Sequence, residues 1–328
     1  RDFFMAVNKI TVIGAGSVGS TTAFALALKN IANEIVIIDI NEDKALGEAM
    51  DSHQGTPLFS EPVNVYAGDY KSAVGSDIVV ITSGVARKPG QTRIDLAQTN
   101  VNIIKQITPQ IVRSCPDATY VIVANPVDIL TYVFSKVSGI PQNRIIGSGT
   151  LLDTARLRAR IAEYLSVSQK NVHAYVFGEH GETSFVPWSI AEVSTISLAD
   201  YKELIKLDQG IMVDLDYDEI DNYMRSSGGK IIRRKGCTNY AIAVSVCGIC
   251  ECLQGGVNAV VTVSTMLSGE YGISDVCLSL PMLLGNGKVQ GRITPRLTDE
   301  ELEKLHHSAD ALKAVIAQID LTMPETKA

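Results

Sequence analysis

The sequence predicts an α/β protein with a doubly wound parallel sheet in its first half and an α+β domain after it. Two observations predict the sheet: short apolar segments alternate with stretches of helical spacing, and a glycine-rich turn joins the first apolar segment to the first helix. The alternation is lost near residue 147, which predicts a second domain. A chain of 328 residues is long enough for two packed units.

Four apolar segments in the first half have the length of buried strands. They cover residues 9–13, 34–39, 77–82 and 119–124. Stretches of helical spacing lie between them at residues 20–29, 42–52 and 94–114. Strands that alternate with helices form βαβ units, and such units build a parallel sheet with helices on both faces. We therefore expect residues 1–147 to form one domain.

The second half has a less regular pattern. A helix is expected at residues 151–164 and another at residues 298–319, with mixed strands and helices between them. This mixture favours an α+β domain over residues 148–328.

Composition narrows the class of partner. Hydrophobic residues make up 46% of the chain, which supports a sizeable core, and the net charge is −7. That charge argues against a general attraction to nucleic acid or to anionic membrane. Apolar runs such as residues 35–38 are far shorter than the roughly 18 residues that a membrane span needs. We expect no nucleic-acid partner and no membrane span, so any anionic ligand must be held by individual arginines.

The start of the chain and the cysteines bear on the compartment. Residues 1–5 lack the basic and apolar pattern of a secretion signal, and Met5 is a candidate for the native start. Sparse cysteines, six in all, suit a reducing compartment, so we expect a cytoplasmic protein. Cys247, Cys250 and Cys252 lie in an apolar segment typical of a buried helix. No further Cys or His pair completes a metal site, and buried thiols are expected instead.

A glycine-rich turn follows the first predicted strand and opens the first predicted helix. It has the sequence Gly14-Ala15-Gly16-Ser17-Val18-Gly19. In this context the first glycine permits a tight turn, the second lets the backbone approach a pyrophosphate, and the third lets helix and strand pack closely. The helix N-terminus favours negative charge. The turn therefore predicts a Rossmann-type site for a dinucleotide cofactor.

Asp39 stands twenty residues past Gly19, at the end of the second predicted strand. A carboxylate there can accept hydrogen bonds from both hydroxyls of an adenosine ribose and would repel a 2′-phosphate. This favours NAD over NADP as the cofactor. The alternative is that Asp39 only caps the strand end before Asn41.

Four separated segments carry candidate catalytic residues. They are the arginine segment Ala86-Arg87-Lys88-Pro89-Gly90-Gln91-Thr92-Arg93, Ala124-Asn125-Pro126-Val127-Asp128, Leu152-Asp153-Thr154-Ala155-Arg156, and Gly178-Glu179-His180-Gly181. In order, spacing and residue type they resemble the lactate/malate dehydrogenase family, and the resemblance covers nearly the whole chain. It implies an NAD-dependent L-2-hydroxy acid dehydrogenase that interconverts a short 2-keto acid and its hydroxy acid.

Reduction of a keto acid needs a hydride at carbon and a proton at oxygen. His180 suits the proton donor, since its pKa lies near neutral pH. The resemblance assigns Asp153 to the carboxylate behind the imidazole, which fixes the tautomer and raises the pKa of the protonated form. By the residues alone, Asp153 and Arg156 could instead be an ordinary i,i+3 ion pair on a helix surface.

The resemblance also implies the residues that bind the substrate. Arg156 matches the bidentate clamp on the substrate carboxylate, for which a planar guanidinium is suited. Arg93 matches the residue that polarises the keto group when a mobile loop closes. Asn125 matches a residue that contacts both substrate and cofactor, and Thr238 matches one that lines the substrate side-chain pocket.

Arg87 departs from the pattern of the lactate branch. Family members that act on lactate usually carry glutamine at this position, whereas those that act on malate carry arginine. Arginine can pair with the second carboxylate of oxaloacetate, while pyruvate offers only a methyl group. The segments around His180 and Thr238 resemble the lactate branch. We expect pyruvate and L-lactate as substrates, with oxaloacetate and L-malate as the alternative.

Arg158 and His173 match positions that bind fructose 1,6-bisphosphate across a subunit interface in bacterial members of the family. The resemblance thus implies an allosteric homotetramer, or a homodimer, activated by a sugar bisphosphate. The alternative is a solvated arginine and a packed histidine.

Two rival functions are weaker. The fold could only bind NAD, as a sensor or structural protein, but the retained acid, its carboxylate and both arginines argue against this. A sugar-phosphate dehydrogenase would need a different set of groups in the second domain, and the sequence contains none that we recognise.

Overall fold

A nine-stranded sheet forms the centre of the molecule in a computed structural model that describes residues 8–86, 90, 92–204 and 215–323. The strands in chain order are β1 (Lys9–Ile13), β2 (Glu34–Ile38), β3 (Asn64–Ala67), β4 (Ile78–Ile81), β5 (Thr119–Ile122), β6 (Ile145–Gly147), β7 (Val172–His173), β8 (Glu192–Val193), β9 (Ile196–Ser197), β10 (Ala259–Ser268), β11 (Ser274–Gly285) and β12 (Lys288–Arg292). Strands β7, β8 and β9 form a separate small sheet.

The helices cover both faces of this sheet and the second half of the chain. They are α1 (Ser17–Leu28), α2 (Glu42–Gly55), α3 (Arg93–Ser114), α4 (Val127–Val137), α5 (Leu151–Leu165), α6 (Leu198–Leu204), α7 (Tyr217–Lys235), α8 (Tyr240–Gln254) and α9 (Asp299–Ile316).

Six strands of the main sheet are parallel, in the order β3-β2-β1-β4-β5-β6. The direction of winding reverses between β1 and β4, and ligands of doubly wound sheets bind at the carboxyl ends beside such a reversal. The predicted α/β class and Rossmann-type sheet are confirmed. Every residue of β4 and β5 is buried, as expected for strands covered on both faces.

The structure corrects several predicted boundaries and adds elements. Helix α1 begins at Ser17 and not at residue 20, so the last glycine of the turn lies inside the helix. The third and fourth predicted strands, at 77–82 and 119–124, end at Ile81 and Ile122. Thr82, Val123 and Ala124 therefore lie in the loops at the carboxyl ends of these strands. The short strands β3 and β6 and the helices α4 and α7 were not predicted.

The second half of the chain extends the first sheet. Strand β10 pairs antiparallel with β6 through Ser264 and Gly147, and β11 and β12 follow at the edge. Close approach is possible because Gly147 has no side chain: a Cβ there would overlap the Thr131 hydroxyl and lie 3.0 Å from Cβ of Ser264. The division of the chain near residue 147 stays a prediction, and the main sheet crosses it.

Helix α8 is buried along one side, as the sequence predicts for the cysteine-rich segment. Cys247 and Cys250 are inaccessible to solvent, whereas Cys252, also expected to be buried, is only half-buried. Burial raises the pKa of the Cys247 thiol to about 12. Among the described residues, no helix combines the length and apolarity that crossing a bilayer requires.

We predict that Gly147→Ala lowers the free energy of unfolding by about 2 kcal/mol, because the added methyl group must displace α4 or β10. Gly248→Ala on α8 is the control. Its new Cβ meets no atom within 4 Å, and removal of a helical glycine should stabilise by up to about 1 kcal/mol. Urea denaturation at one fixed protein concentration measures both. Equal midpoints for the two variants would show that the junction between β6 and β10 tolerates a side chain.

Candidate active site

The predicted catalytic residues lie together at the carboxyl ends of the parallel strands. A cavity of about 820 Å³ is lined by residues from both halves of the chain, and it extends from the glycine turn to the start of α5. Its lining includes Val18, Arg93, Asn125, Asp153, Arg156, His180 and Thr238.

The glycine turn is shaped as its sequence requires. Gly14 has a φ of +111°, and a Cβ there would lie 2.6 Å from the Thr82 hydroxyl. A Cβ at Gly19 would overlap the main chain of Gly14, so only glycine lets α1 approach β1 this closely. Gly16 differs, since its Cβ would meet no protein atom within 4 Å. That open space beside the N-terminus of α1, which begins at Ser17, fits the pyrophosphate of a dinucleotide.

Asp39 lies directly against this turn. One carboxylate oxygen accepts a hydrogen bond from the amide of Ala15 at 2.6 Å, and the other accepts from the amide of Asn41 at 2.9 Å. The half-buried carboxylate therefore caps the end of β2, as the structural alternative for Asp39 proposed. Each oxygen keeps a further lone pair, so the group also fits the ribose hydroxyls of NAD.

His180 and Asp153 form a hydrogen-bonded pair. Nδ1 of His180 lies 2.5 Å from Oδ2 of Asp153, whose side chain is 7% exposed, while the imidazole is 28% exposed toward the cavity. Burial alone would lower the pKa of His180, but the carboxylate outweighs it and raises that pKa. Burial acts to raise the pKa of Asp153, but His180 and Arg156 outweigh it and lower that pKa. The pair can therefore hold a proton on the imidazole and present Nε2 to the cavity.

Arg156 completes a three-residue cluster at the start of α5. Its Nη1 donates to Oδ1 of Asp153 at 2.9 Å. The two residues do form an i,i+3 ion pair, but it is buried and not on the helix surface, with the arginine side chain only 13% exposed. Asp153 thus uses one oxygen for His180 and the other for Arg156. The guanidinium is fixed at the cavity wall, where it can face an anionic substrate.

Arg93 is the first residue of α3. The helix starts with a capping box in which Thr92 and Asp95 each accept the other's backbone amide. The arginine side chain is 62% exposed and forms an ion pair with Glu182, two residues past His180. Arg93 therefore lies at the rim of the cavity and pairs with an exposed carboxylate.

Asn125 and Thr238 contribute polar groups to the wall. Asn125 follows β5, and its main-chain oxygen accepts a 2.6 Å hydrogen bond from Nδ2 of Asn100 on α3. Asn100 also accepts from the amide of Val85 at 2.8 Å, so it ties the loops after β4 and β5 together. Thr238 follows Gly236, whose φ of +84° ends α7. Asn100 was not predicted from the sequence, because its position in α3 is that of an ordinary helical residue.

Asp128 was also not selected, although it lies in a motif that the sequence analysis singled out. Its carboxylate is 3% exposed and accepts a hydrogen bond from the backbone amide of His180 at 2.7 Å. Burial raises the pKa of this carboxyl to about 6. A second carboxylate thus lies close to His180.

Two of the predicted residues, Arg158 and His173, lie away from the cavity. Arg87 lies outside the described residues. Nε of Arg158 donates to the carbonyl of Ala174 at 2.9 Å and its guanidinium lies 4.9 Å from the ring centroid of Tyr175, while His173 on β7 is exposed.

A doubly wound sheet with a dinucleotide turn, joined to a histidine–aspartate pair and an arginine in one cavity, defines an NAD-dependent oxidoreductase acting on a CH–OH group. Family models agree with this. The lactate/malate dehydrogenase NAD binding domain matches residues 8–147, and the lactate/malate dehydrogenase alpha/beta C-terminal domain matches residues 150–321. The chain belongs to the lactate/malate dehydrogenase family.

Several proteins similar to this chain over nearly its whole length are L-lactate dehydrogenases. The L-lactate dehydrogenase of Thermoanaerobacterium saccharolyticum is 44% identical over 96% of this chain and 100% of its own. That of Acetivibrio thermocellus is 45% identical over 96% of this chain and 98% of its own. The crystal structure of the minor L-lactate dehydrogenase from Enterococcus mundtii in its ligands-bound form has a TM-score of 0.91, at 36% identity, and covers 97% of this chain and 100% of that one.

These findings confirm the predicted resemblance, the NAD cofactor and the predicted NAD-dependent dehydrogenase of the lactate type. Each relative named above is a lactate dehydrogenase, and none of them favours the malate alternative.

We predict that Asp153→Asn lowers the pKa of His180, because the negative charge that favours the imidazolium is lost. If His180 has its predicted role as proton donor, keto acid reduction requires the protonated imidazole. The alkaline limb of the pH profile of kcat should then move to lower pH by about one unit or more, and kcat at neutral pH should fall at least about tenfold. The measurement is a pH profile of kcat with saturating NADH.

Glu163→Gln, an exposed carboxylate further along α5, is the control and should leave the profile unchanged. A parental midpoint in Asp153→Asn would mean that another group sets the protonation state of His180.

Proposed function

We propose that the protein catalyses the reversible reduction of pyruvate to L-lactate with NADH. The observation that carries this proposal is the cluster of His180, Asp153 and Arg156 in one cavity that begins at the glycine turn. We assign residues 1–147 to cofactor binding and residues 148–328 to the catalytic, substrate-binding domain. The names of the relatives support lactate as the hydroxy acid.

Each residue of the cluster has a separate role in this proposal. NADH, when bound, supplies the hydride. Arg156 binds the substrate carboxylate through the guanidinium nitrogens that Asp153 leaves free. His180 donates a proton from Nε2 to the carbonyl oxygen, and Asp153 stabilises the imidazolium before that transfer. Asn125 and Thr238 line the cavity and orient the substrate.

Gly14, Gly16, Ser17, Val18, Gly19 and Asp39 hold the cofactor in this proposal. Arg93 acts later, when it leaves Glu182 and turns toward the substrate oxygen. A cation beside that oxygen stabilises the negative charge that develops on it as hydride arrives. The arginine is at the rim and exposed, so this step needs its guanidinium to leave Glu182 and turn into the cavity.

Arg87 is the residue that distinguishes the two keto acids. A guanidinium beside the methyl group of pyruvate has no partner there, whereas the second carboxylate of oxaloacetate offers one. We propose pyruvate as the main substrate, on the relatives' names, and expect Arg87 to give measurable reduction of oxaloacetate as well.

We predict that Arg87→Gln raises the ratio of kcat/KM for pyruvate to kcat/KM for oxaloacetate by about tenfold or more, because the dicarboxylate loses an ion pair. Lys88→Gln removes one positive charge from the same segment and is the control for general electrostatics. Steady-state assays with NADH measure both ratios. An unchanged ratio in Arg87→Gln would exclude this residue from specificity, and absence of reduction of both keto acids by the parent would overturn the proposed function.

We also propose a cytoplasmic homotetramer or homodimer that binds fructose 1,6-bisphosphate at Arg158 and His173. These two residues come from α5 and β7, outside the cavity, and the exposure of His173 leaves its imidazole accessible to a phosphate group. Arg158 also has a structural contact, since it donates to the carbonyl of Ala174. His173 is therefore the cleaner position to vary.

We predict that fructose 1,6-bisphosphate lowers the KM for pyruvate in the parent and that His173→Gln weakens this response. Loss of one charge-assisted phosphate contact should raise the concentration for half-maximal effect by about tenfold. Fructose 6-phosphate at matched ionic strength is the control for nonspecific anion effects. An unchanged KM in the parent across the titration would refute activation by this ligand.

A further inference from the structure

Gly178, Glu179 and His180 form a short loop segment whose three backbone amides are each anchored to a different element. The amide of Gly178 donates to the carbonyl of Ser279 on β11 at 3.1 Å, and the amide of Glu179 donates to the hydroxyl of Ser308 on α9 at 2.8 Å. The amide of His180 donates to Oδ2 of Asp128 at 2.7 Å. Three elements that are distant in sequence therefore fix three consecutive amides.

Only the third anchor is charged. Ser308 shows that a neutral hydroxyl can hold an amide of this segment, so an anchor does not need a carboxylate. A buried carboxylate is costly unless its oxygens are satisfied. Oδ1 of Asp128 is buried, and the described residues give it no partner in good hydrogen-bond geometry; the equally buried Ser264 hydroxyl is the neutral side chain that acts on this carboxylate. The charge at position 128 thus has a cost that a purely structural anchor would avoid.

We propose that Asp128 is a positioning residue for His180: it anchors the backbone beneath the imidazole and supplies a second negative charge that favours the protonated ring. The inference rests on the proposed role of His180 as proton donor. Asp153 acts on Nδ1 of the ring from α5, while Asp128 acts on the main chain from the first turn of α4. Asp153 thus sets the orientation of the imidazole ring, and Asp128 sets the position of the main chain that carries it.

The charges around His180 agree with this division. Asp153 and Asp128 both favour the imidazolium, whereas Arg156 on α5 opposes it. Glu179, next to His180 in the chain, acts on Asp128 and raises its pKa, as does burial, which is the larger cause. Because the pKa of Asp128 is about 6, the carboxyl is ionised at neutral pH and loses its charge as the pH falls below that value.

Two substitutions separate the anchor from the charge. Asp128→Asn keeps an oxygen that accepts the amide of His180 but removes the charge. The alkaline limb of the pH profile for keto acid reduction by Asp128→Asn should move to lower pH by about half a unit to one unit. Its kcat at low pH should stay within a few fold of the parent. Asp128→Ala removes anchor and charge together, and kcat should fall by about tenfold or more at every pH.

Glu301→Gln is the matched control. Glu301 is a buried carboxylate, 7% exposed, that accepts the amide of Ser189 at 3.0 Å, and it does not line the cavity. It should alter stability without moving the pH profile. The profile is taken as kcat/KM for the keto acid at saturating NADH, and its midpoint is independent of the fraction of active protein. Active-site concentration is measured by titration of NADH fluorescence.

The outcomes distinguish the inference from the proposed function. A shifted midpoint in Asp128→Asn, together with a reduced kcat in Asp128→Ala, supports it. Parental midpoints and kcat in both variants, or a loss of thermal stability alone as in Glu301→Gln, overturn it. His180→Asn is measured alongside. If it keeps parental activity, the proposed role of His180 fails and this inference fails with it. If His180→Asn is inactive while both Asp128 variants behave as the parent does, this inference alone is overturned.

Discussion

The buried carboxylate of Asp153 is the interaction on which the candidate site depends. It has two oxygens and two partners, the imidazole of His180 and the guanidinium of Arg156. Burial destabilises an isolated charge, so the carboxylate is stable only while it is paired. The same contacts hold His180 and Arg156 in place. Asp153 thus sets the separation between His180, the proposed proton donor, and Arg156, the proposed clamp on the substrate carboxylate. Arg156 comes from the same helix as Asp153, and His180 comes from a loop whose amides are anchored to β11, α9 and α4.

The sheet makes this arrangement possible. Helix α5 begins four residues after β6, the last parallel strand, which places Asp153 and Arg156 at the carboxyl edge. Strand β10 continues the sheet on the other side of β6, and β11 carries Ser279, which pairs with Gly178. The acid and the histidine therefore reach the cavity from two elements that share one rigid sheet. Pre-organisation of this kind reduces the reorganisation needed during reaction.

The sequence was sufficient for the strands and site residues whose signals are local. β4 and β5 were predicted because their residues are apolar or of types common in buried strands. The glycine turn was predicted because its glycines have the dinucleotide-binding spacing and lie between a strand and a helix. β6 has three residues and β3 has one fully buried residue, so neither carries enough periodicity to be recognised. His180, Asp153 and Arg156 were predicted from residue type in the context of the family resemblance. The contact between Asp128 and the amide of His180 was not, since it joins positions 52 apart and depends on how α4 and β11 pack.

In the proposed cycle Arg93 leaves Glu182 in each turnover, so the exposure of this ion pair affects how fast the cycle can run. Ion pairs between exposed side chains contribute about 0–1 kcal/mol and are screened by salt. Arg93 is therefore held at the rim only weakly, and its departure from Glu182 presents a low barrier. An arginine locked into a buried pair would have to break that pair in every turnover. The surface position of Glu182 keeps the arginine near the cavity entrance while leaving it free to exchange partners rapidly.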